Sequence, residues 1–357
     1  MPEKPIMIKL EDHIDNFVKL SDFLSGFVNG KTNPEDFSHK CLADAIEKSM
    51  IHNGYFTEQN IFLALNSVAI MLEKEKIKKW IHDYEPLFKS KSGTCKVGVV
   101  LAGNIPIVGF HDFLCVLASG NIFIGKLSQN DRFLLPAIAE VLTVIDSRYQ
   151  GLIHFTGERL QGFDAVIATG SNNTSRYFEY YFGKYPHIIR KNRNSIAVLT
   201  GDETDAHLNL LAVDIFSYFG LGCRNVSKIY IPESFDLQRF INAMESFSFI
   251  VNHNKYKNNY DYYKTIFIMD KRIIIDGGFF LLVEEQSIYS PVSVINFERY
   301  SDIKSVQSYL KEDKDSIQCI VGDPSVDPDA VLFGNAQHPE LWSYADNIDT
   351  MNFLLKL

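Results

Sequence analysis

Apolar and polar positions change rhythm along this chain. Up to about residue 90 the apolar residues recur at helical spacing, punctuated by capping residues. Asn33-Pro34-Glu35 is expected to open one helix. Thr57-Glu58-Gln59 is expected to open another, running through Phe62, Leu63, Leu65, Val68, Ile70 and Leu72. Residues 83–93 read as a connector. From Lys96 the pattern switches to short continuous apolar runs alternating with helical stretches. Strands are expected at 96–102, 121–126 and 164–168, and helices at 106–118, 131–146 and 174–182. That alternation implies βαβ units and a parallel sheet with helices on both faces. A second run follows. It has strands at 195–199, 226–231, 265–269, 272–275, 279–283, 292–297 and 317–321, with helices at 203–219, 235–247 and 302–311. The expected organisation is N-terminal helices and a nucleotide-binding α/β domain over 1–195, a catalytic α/β domain over 196–325, and a C-terminal segment, 326–357, returning to the core.

Composition narrows the class. With 357 residues and 46% hydrophobic content, the chain can bury two cores. A net charge of −9 argues against a nucleic-acid or anionic-membrane binder, which would need basic patches. The cysteines at 41, 95, 115, 223 and 319 are scattered, with no CxxC or Cys/His cluster, so neither a metal site nor a disulfide framework is expected. The N-terminus does not read as a signal peptide, and no apolar run is long enough to span a membrane. A reducing cytoplasm is the simplest compartment for such a chain.

Four segments carry candidate chemistry. Phe219-Gly-Leu-Gly-Cys223-Arg224-Asn225 sets a cysteine among glycines just before an apolar strand. A nucleophilic thiolate needs such an approach, whereas Cys115 and Cys319, inside apolar runs, read as core residues. Asn104, in Gly103-Asn104-Ile105-Pro106, can donate to an oxyanion or simply cap a helix. Lys126 ends an expected parallel strand and either points into a ligand crevice or is a solvated strand-end lysine. Thr169-Gly170-Ser171 follows a strand and precedes a helix, which fits a phosphate cradle or a plain N-cap. No GxGxxG occurs in the chain.

In order and spacing, these segments resemble the aldehyde dehydrogenase superfamily, and within it the acyl-CoA reductase branch that includes the fatty-acid reductase subunit of bacterial bioluminescence. Gly103-Asn104-Ile105-Pro106 resembles the superfamily's Asn-x-Pro oxyanion loop. Gly120-Asn121 with Lys126 resembles its cofactor-binding strand, Thr169-Gly170-Ser171 its pyrophosphate turn, and Gly220-Leu221-Gly222-Cys223 its catalytic cysteine loop. The closing stretch 333–353 resembles the reductase branch itself. The likeness covers about residues 95–357.

The resemblance implies an aldehyde dehydrogenase-like α/β fold, with a Rossmann-like nucleotide-binding domain and a catalytic α/β domain. It implies that Cys223 is the nucleophile, Asn104 an oxyanion donor, and Lys126, Gln129, Thr169, Gly170, Ser171 and Glu285 cofactor contacts. Glu284-Glu285-Gln-Ser-Ile-Tyr-Ser-Pro-Val resembles the superfamily's Glu-Ile-Phe-Gly-Pro motif, with two extra residues between Glu285 and Ile288; a solvated acidic turn is the other reading. Gln129 stands where NAD-preferring relatives often carry an acid, so NADPH is tolerated alongside NADH. Acid-forming relatives carry a glutamate in the stretch corresponding to 187–196, where this chain has no carboxylate. A thioacyl enzyme here would lack its base for hydrolysis. The expected activity is therefore reduction of an acyl thioester, from coenzyme A or an acyl protein, to an aldehyde. An aldehyde-oxidising dehydrogenase and a non-catalytic nucleotide- or acyl-protein-binding relative are the other two readings. The family's complexes imply an acyl-activating protein partner and a homo-oligomer.

Overall fold

The computed structural model describes residues 8–91 and 93–357. Residues 1–7, on which part of the N-terminal reading rests, and Ser92, within the expected connector, lie outside the described residues. The chain divides into two units: residues 1–192 with 338–357, and residues 193–337.

Unit 1 begins with five helices: α1 (Leu10–Val28), α2 (Phe37–His52), α3 (Glu58–Met71), α4 (Lys74–His82) and α5 (Glu85–Ser90). Thr57 caps α3, as the sequence indicates, by accepting the Asn60 N–H. The helix expected at Asn33 starts later. Asn33 Oδ1 takes the Glu35 N–H in a turn, and Asp36 is the cap, accepting from His39. The expected connector holds α5, which Pro86 helps to start in its first turn.

The sheet of unit 1 comprises β1 (Lys96–Val100), β2 (Ile122–Lys126), β3 (Ile153–Thr156), β4 (Ala165–Thr169) and β5 (His187–Arg190), with α6 (Phe110–Ala118), α7 (Leu134–Ile145) and α8 (Asn172–Phe182) between strands. All pairings are parallel and the order is β3-β2-β1-β4-β5. Strand order therefore reverses between β1 and β4, which is where open α/β sheets form a ligand crevice beyond their carboxyl ends. The helix expected from Pro106 starts only at Phe110. Ahead of it, Ile107 adopts a left-handed φ of 50° and gives its N–H to Asp131 Oδ2 at 2.7 Å, so the chain turns before the helix begins.

Unit 2 runs β6 (Asn194–Val198), α9 (Asp205–Phe216), β7 (Val226–Pro232), α10 (Leu237–Met244), α11 (Asn254–Met269), β8 (Ile274–Asp276), β9 (Leu281–Glu284), β10 (Val294–Tyr300), α12 (Ile303–Glu312) and β11 (Ile317–Gly322). The order is β11-β6-β7-β10-β9-β8, parallel except for β8 against β9. The strand expected at 265–269 is instead the last part of α11. Tyr260 and Phe267, seven residues apart on one helical face, pack on Leu281, Val283 and Val294 of the sheet.

The final residues rejoin unit 1 and end in α13 (Thr350–Leu355). Tyr344 receives the Trp80 indole N–H at 2.6 Å and bonds Tyr84 at 2.8 Å, while Tyr84 donates to Asp349. Arg190, almost fully buried, pairs with Asp112 at 2.6 Å and donates to Thr350.

Candidate active site

In unit 1 most of the candidate residues collect at the carboxyl ends of the central strands. Lys126 is the last residue of β2, paired with Val100 of β1 and Thr156 of β3, and is half-buried. Asn104 is exposed on the bend after β1, six residues ahead of α6. It is therefore not that helix's cap; Gly109 occupies the N-cap position, without a side-chain bond. Gly103 is required by close approach: a Cβ there would lie 2.3 Å from Ser128 Oγ. The Asn104 bend is thus pressed against the loop that follows Lys126. Asp131, on that same loop, is pushed up to about 6 by burial, opposed by the backbone N–H groups of Ile107 and Leu134. Gln129 is exposed, and its carbonyl is held by His52 Nε2 at 2.6 Å.

Thr169 closes β4, and Ser171 is the N-cap of α8, accepting the Thr174 N–H at 3.2 Å. Its hydroxyl also bonds Thr174 Oγ1, so the capping role read from the sequence is the one its side chain fills here. At Gly170 a Cβ would stand 2.9 Å from Phe178 and 3.0 Å from Thr174 Cβ, so glycine lets the first turn of α8 sit close to the strand end. The N-terminal amides of α8, an 11-residue helix, thereby meet the sheet beside the strand-order reversal.

In unit 2 Cys223 lies at the opposite end of its sheet, just ahead of β7. All five cysteines are among the described residues, and Cys223 alone is exposed; Cys115 and Cys319 are buried. Burial raises the Cys115 thiol well above its ordinary value. Cys223 and Arg224 are the corner of a turn closed by the Asn225 N–H to the Gly222 carbonyl at 3.0 Å. The approach to it is conformationally unusual. Tyr218, Phe219 and Gly220 have successive positive φ values of 53°, 59° and 75°. Three left-handed residues in a row, two of them aromatic, need surrounding structure to hold them.

That support is visible. The Phe219 ring packs, tilted, with its centroid 4.4 Å from that of His253 and 5.9 Å from that of Tyr256. Ser195 of β6 donates its hydroxyl to the Cys223 carbonyl at 2.9 Å. Arg224 Nε donates to the Ala336 carbonyl at 2.6 Å, and buried Asp214 of α9 accepts the N–H groups of Gly334 and Ala336. Burial pushes Asp214 up to about 6 against those two bonds and the Arg224 charge.

Glu285 stands apart from this turn. It follows β9, its N–H bonds the Phe297 carbonyl well into β10, and its carboxylate is taken by Arg272 at 2.8 Å. The Gln286 N–H, foremost, and Arg272 hold that carboxyl below its ordinary range. The chain after Glu285 is what returns toward the cysteine end. Ser227, at the start of β7, donates to the Ile288 carbonyl, and Ser290 donates to the Ser227 carbonyl. The sequence reading missed Ser195, Asn225 and Ser290. Of these, Asn225 stands inside the Cys223 segment, but nothing local marks its bonds to the end of α9.

Among the described residues no helix is long and apolar enough to cross a membrane, and no group of three or more His, Cys, Asp or Glu side chains could hold a metal ion.

A family model described as acyl-CoA reductase (LuxC) matches residues 35–322. No curated protein matches the chain in sequence. Among solved structures, the chain is similar to aldehyde dehydrogenase 21 from Physcomitrella patens in complex with the reaction product succinate, at 13% identity and a TM-score of 0.55, over 98% of this chain and 89% of that one. It is similar to an NAD-dependent benzaldehyde dehydrogenase from Corynebacterium glutamicum, at 12% identity and a TM-score of 0.59, over 88% and 76%. The NAD+ complex of an aldehyde dehydrogenase from Bacillus cereus gives 12%, 0.57, and 88% and 72%. These likenesses show the fold, which is aldehyde dehydrogenase-like α/β.

Proposed function

The chain belongs to the acyl-CoA reductase (LuxC) family, and from that premise we propose that it reduces an acyl thioester to an aldehyde through a thioacyl intermediate on Cys223. The observation that carries this reading is the exposure of Cys223 on a braced turn, while Cys115 and Cys319 are buried. The Cys223 thiolate attacks the thioester carbonyl, a C–S bond forms, and the carrier thiol leaves with the electron pair of the bond that breaks. The resulting thioester on Cys223 is reduced and protonated to a thiohemiacetal, which collapses to aldehyde and regenerates Cys223. In this reading the Asn104 amide and the Cys223 backbone N–H donate to the oxyanion.

The residues of unit 1 fit a nicotinamide cofactor. The N-terminal amides of α8, close to β4 because of Gly170, suit a pyrophosphate. Lys126 at its strand end suits the adenosine side. When bound, the cofactor supplies the hydride. Gln129, exposed and neutral, leaves room for a 2′-phosphate, so NADPH is accepted at least as well as NADH. Glu285 is omitted from this assignment because Arg272 already engages its carboxylate. The absence of a carboxylate from 187–196 favours reduction over acid formation.

The test is incubation with a labelled acyl-CoA, first without cofactor and then with NADPH. The expected result is label on Cys223 alone, followed by NADPH loss and aldehyde. Label on another cysteine, or rapid release of free acid without aldehyde, overturns the reading.

A further inference from the structure

Asn225 ties the Cys223 turn to the end of α9 through both ends of its side-chain amide. It is 3% exposed. Its Nδ2 faces three carbonyls where α9 ends, those of Asp214 at 3.1 Å, Ile215 at 3.2 Å and Ser217 at 2.9 Å. Its Oδ1 accepts the Gly222 N–H at 2.8 Å, and its own N–H closes the turn onto the Gly222 carbonyl. Terminal helix carbonyls have no partner within their helix, and an amide is the side chain that can serve them while accepting a bond on its other side. One side chain therefore fastens the cysteine turn to the end of α9. Ser195, fully buried, fastens the same turn to β6 through the Cys223 carbonyl, and its hydroxyl accepts the Cys319 N–H at 3.2 Å.

We infer that Asn225 is the positioning residue for the Cys223 thiol: it holds the Gly222–Asn225 turn in the geometry for acyl transfer, with Ser195 as the lesser brace. This rests on the proposed function. Neither side chain touches the substrate in this assignment; each acts through the backbone of the turn. Preorganisation of this kind changes the rate of a bonding step more than the affinity for what binds elsewhere.

The experiment is single-turnover acylation of Cys223 by a labelled acyl-CoA without cofactor, following both the rate constant and the final amplitude. For Asn225→Ala the rate constant is expected to fall about 30- to 100-fold, the scale of loss from misplacing a reacting atom by about 1 Å, with the amplitude close to one label per chain. kcat for reduction should fall in parallel while KM for NADPH stays unchanged. Ser195→Ala should show a smaller fall in the same rate constant. Should Asn225→Ala fail to fold, Asn225→Asp decides: it keeps the acceptor for Gly222 but loses the donors to α9, and an unchanged rate constant overturns the inference. A lowered amplitude at an unchanged rate constant in Asn225→Ala also overturns it, since that is the signature of a structural role alone. Label on a residue other than Cys223 in the wild-type chain removes the proposed function and this inference with it. Label on Cys223 at equal rates in wild type and variants removes only the inference.

Discussion

Unit 1 presents most of its candidate residues beyond the carboxyl ends of parallel strands, whereas unit 2 presents Cys223 before the amino end of one. The difference has a physical reading. Carboxyl ends of parallel strands run straight into helix N-termini, so Thr169-Gly170-Ser171 obtains a cluster of backbone donors from topology alone. The amino end of β7 offers no such helix start. The turn at Cys223 is instead built from side chains, with Asn225, Ser195 and Arg224 each taking a different neighbour. An arrangement of the first kind tolerates side-chain change; one of the second kind depends on a few individual bonds.

This contrast can be broken most sharply at Asn104, the unit 1 residue to which the proposed function gives a catalytic role. Asn104→Ala is expected to lower turnover by about 100- to 1000-fold, the loss typical of one oxyanion donor, with little change in thermal midpoint, because Gly109 and not Asn104 stands at the helix cap. Steady-state kinetics with a melting curve checks both. Preserved turnover would leave Asn104 on the tolerant side of the comparison.

A smaller effect is expected at Gln129. Gln129→Glu adds a charge on an exposed loop, which should raise KM for NADPH several-fold more than KM for NADH; one like-charge interaction near the surface is worth about 1 kcal/mol. Equal changes for the two cofactors would place Gln129 away from the ribose.

A stability comparison takes one buried carboxyl in each unit. Asp131 holds the Ile107 N–H behind the Asn104 bend, and Asp214 holds Gly334 and Ala336 beside the Cys223 turn. Burial raises both to about 6 from 3.8. A carboxyl whose folded value is raised contributes stability that is complete below about pH 4 and is lost as pH climbs through about 6. Buried His13, lowered to about 4, acts in the opposite sense, losing stability as pH falls from 6.5, and His111 and His338 shift the same way. The measurement is therefore a difference. Urea unfolding of Asp131→Asn and Asp214→Asn, each against the parent, should show the variant gaining relative stability of about 1–3 kcal/mol between pH 4 and pH 7. A difference independent of pH would mean that the carboxyl is already ionised in the fold at pH 4.

Much of the unit 1 sheet was legible because its central strands are buried on both faces and so read as continuous apolar runs, as at Val97-Gly-Val-Val100. The edge strands were not. His154 in β3 and His187 and Arg190 in β5 interrupt the apolar pattern, and Arg190 is buried only because Asp112 and Thr350 meet it from distant positions. Thr265-Ile-Phe-Ile-Met269 is rich in strand formers, and only packing on β9 and β10 makes it helix. At the candidate site, glycines around Cys223 were visible in sequence, but Ser195, 28 residues earlier, carries no local mark of its bond to the turn.

One connection has a consequence for synthesis. Unit 2 interrupts unit 1, whose remaining residues, 338–357, come after all of unit 2. On the ribosome, residues 193–337 emerge as one continuous stretch, while Trp80, Tyr84 and Arg190 wait for partners made after it. Until Tyr344, Asp349 and Thr350 arrive, the Arg190–Asp112 pair and the Trp80 indole lack part of their bonding. The earlier-made part must therefore persist as an incomplete nascent intermediate, so loss of residues 338–357 should harm the part of unit 1 synthesised before unit 2.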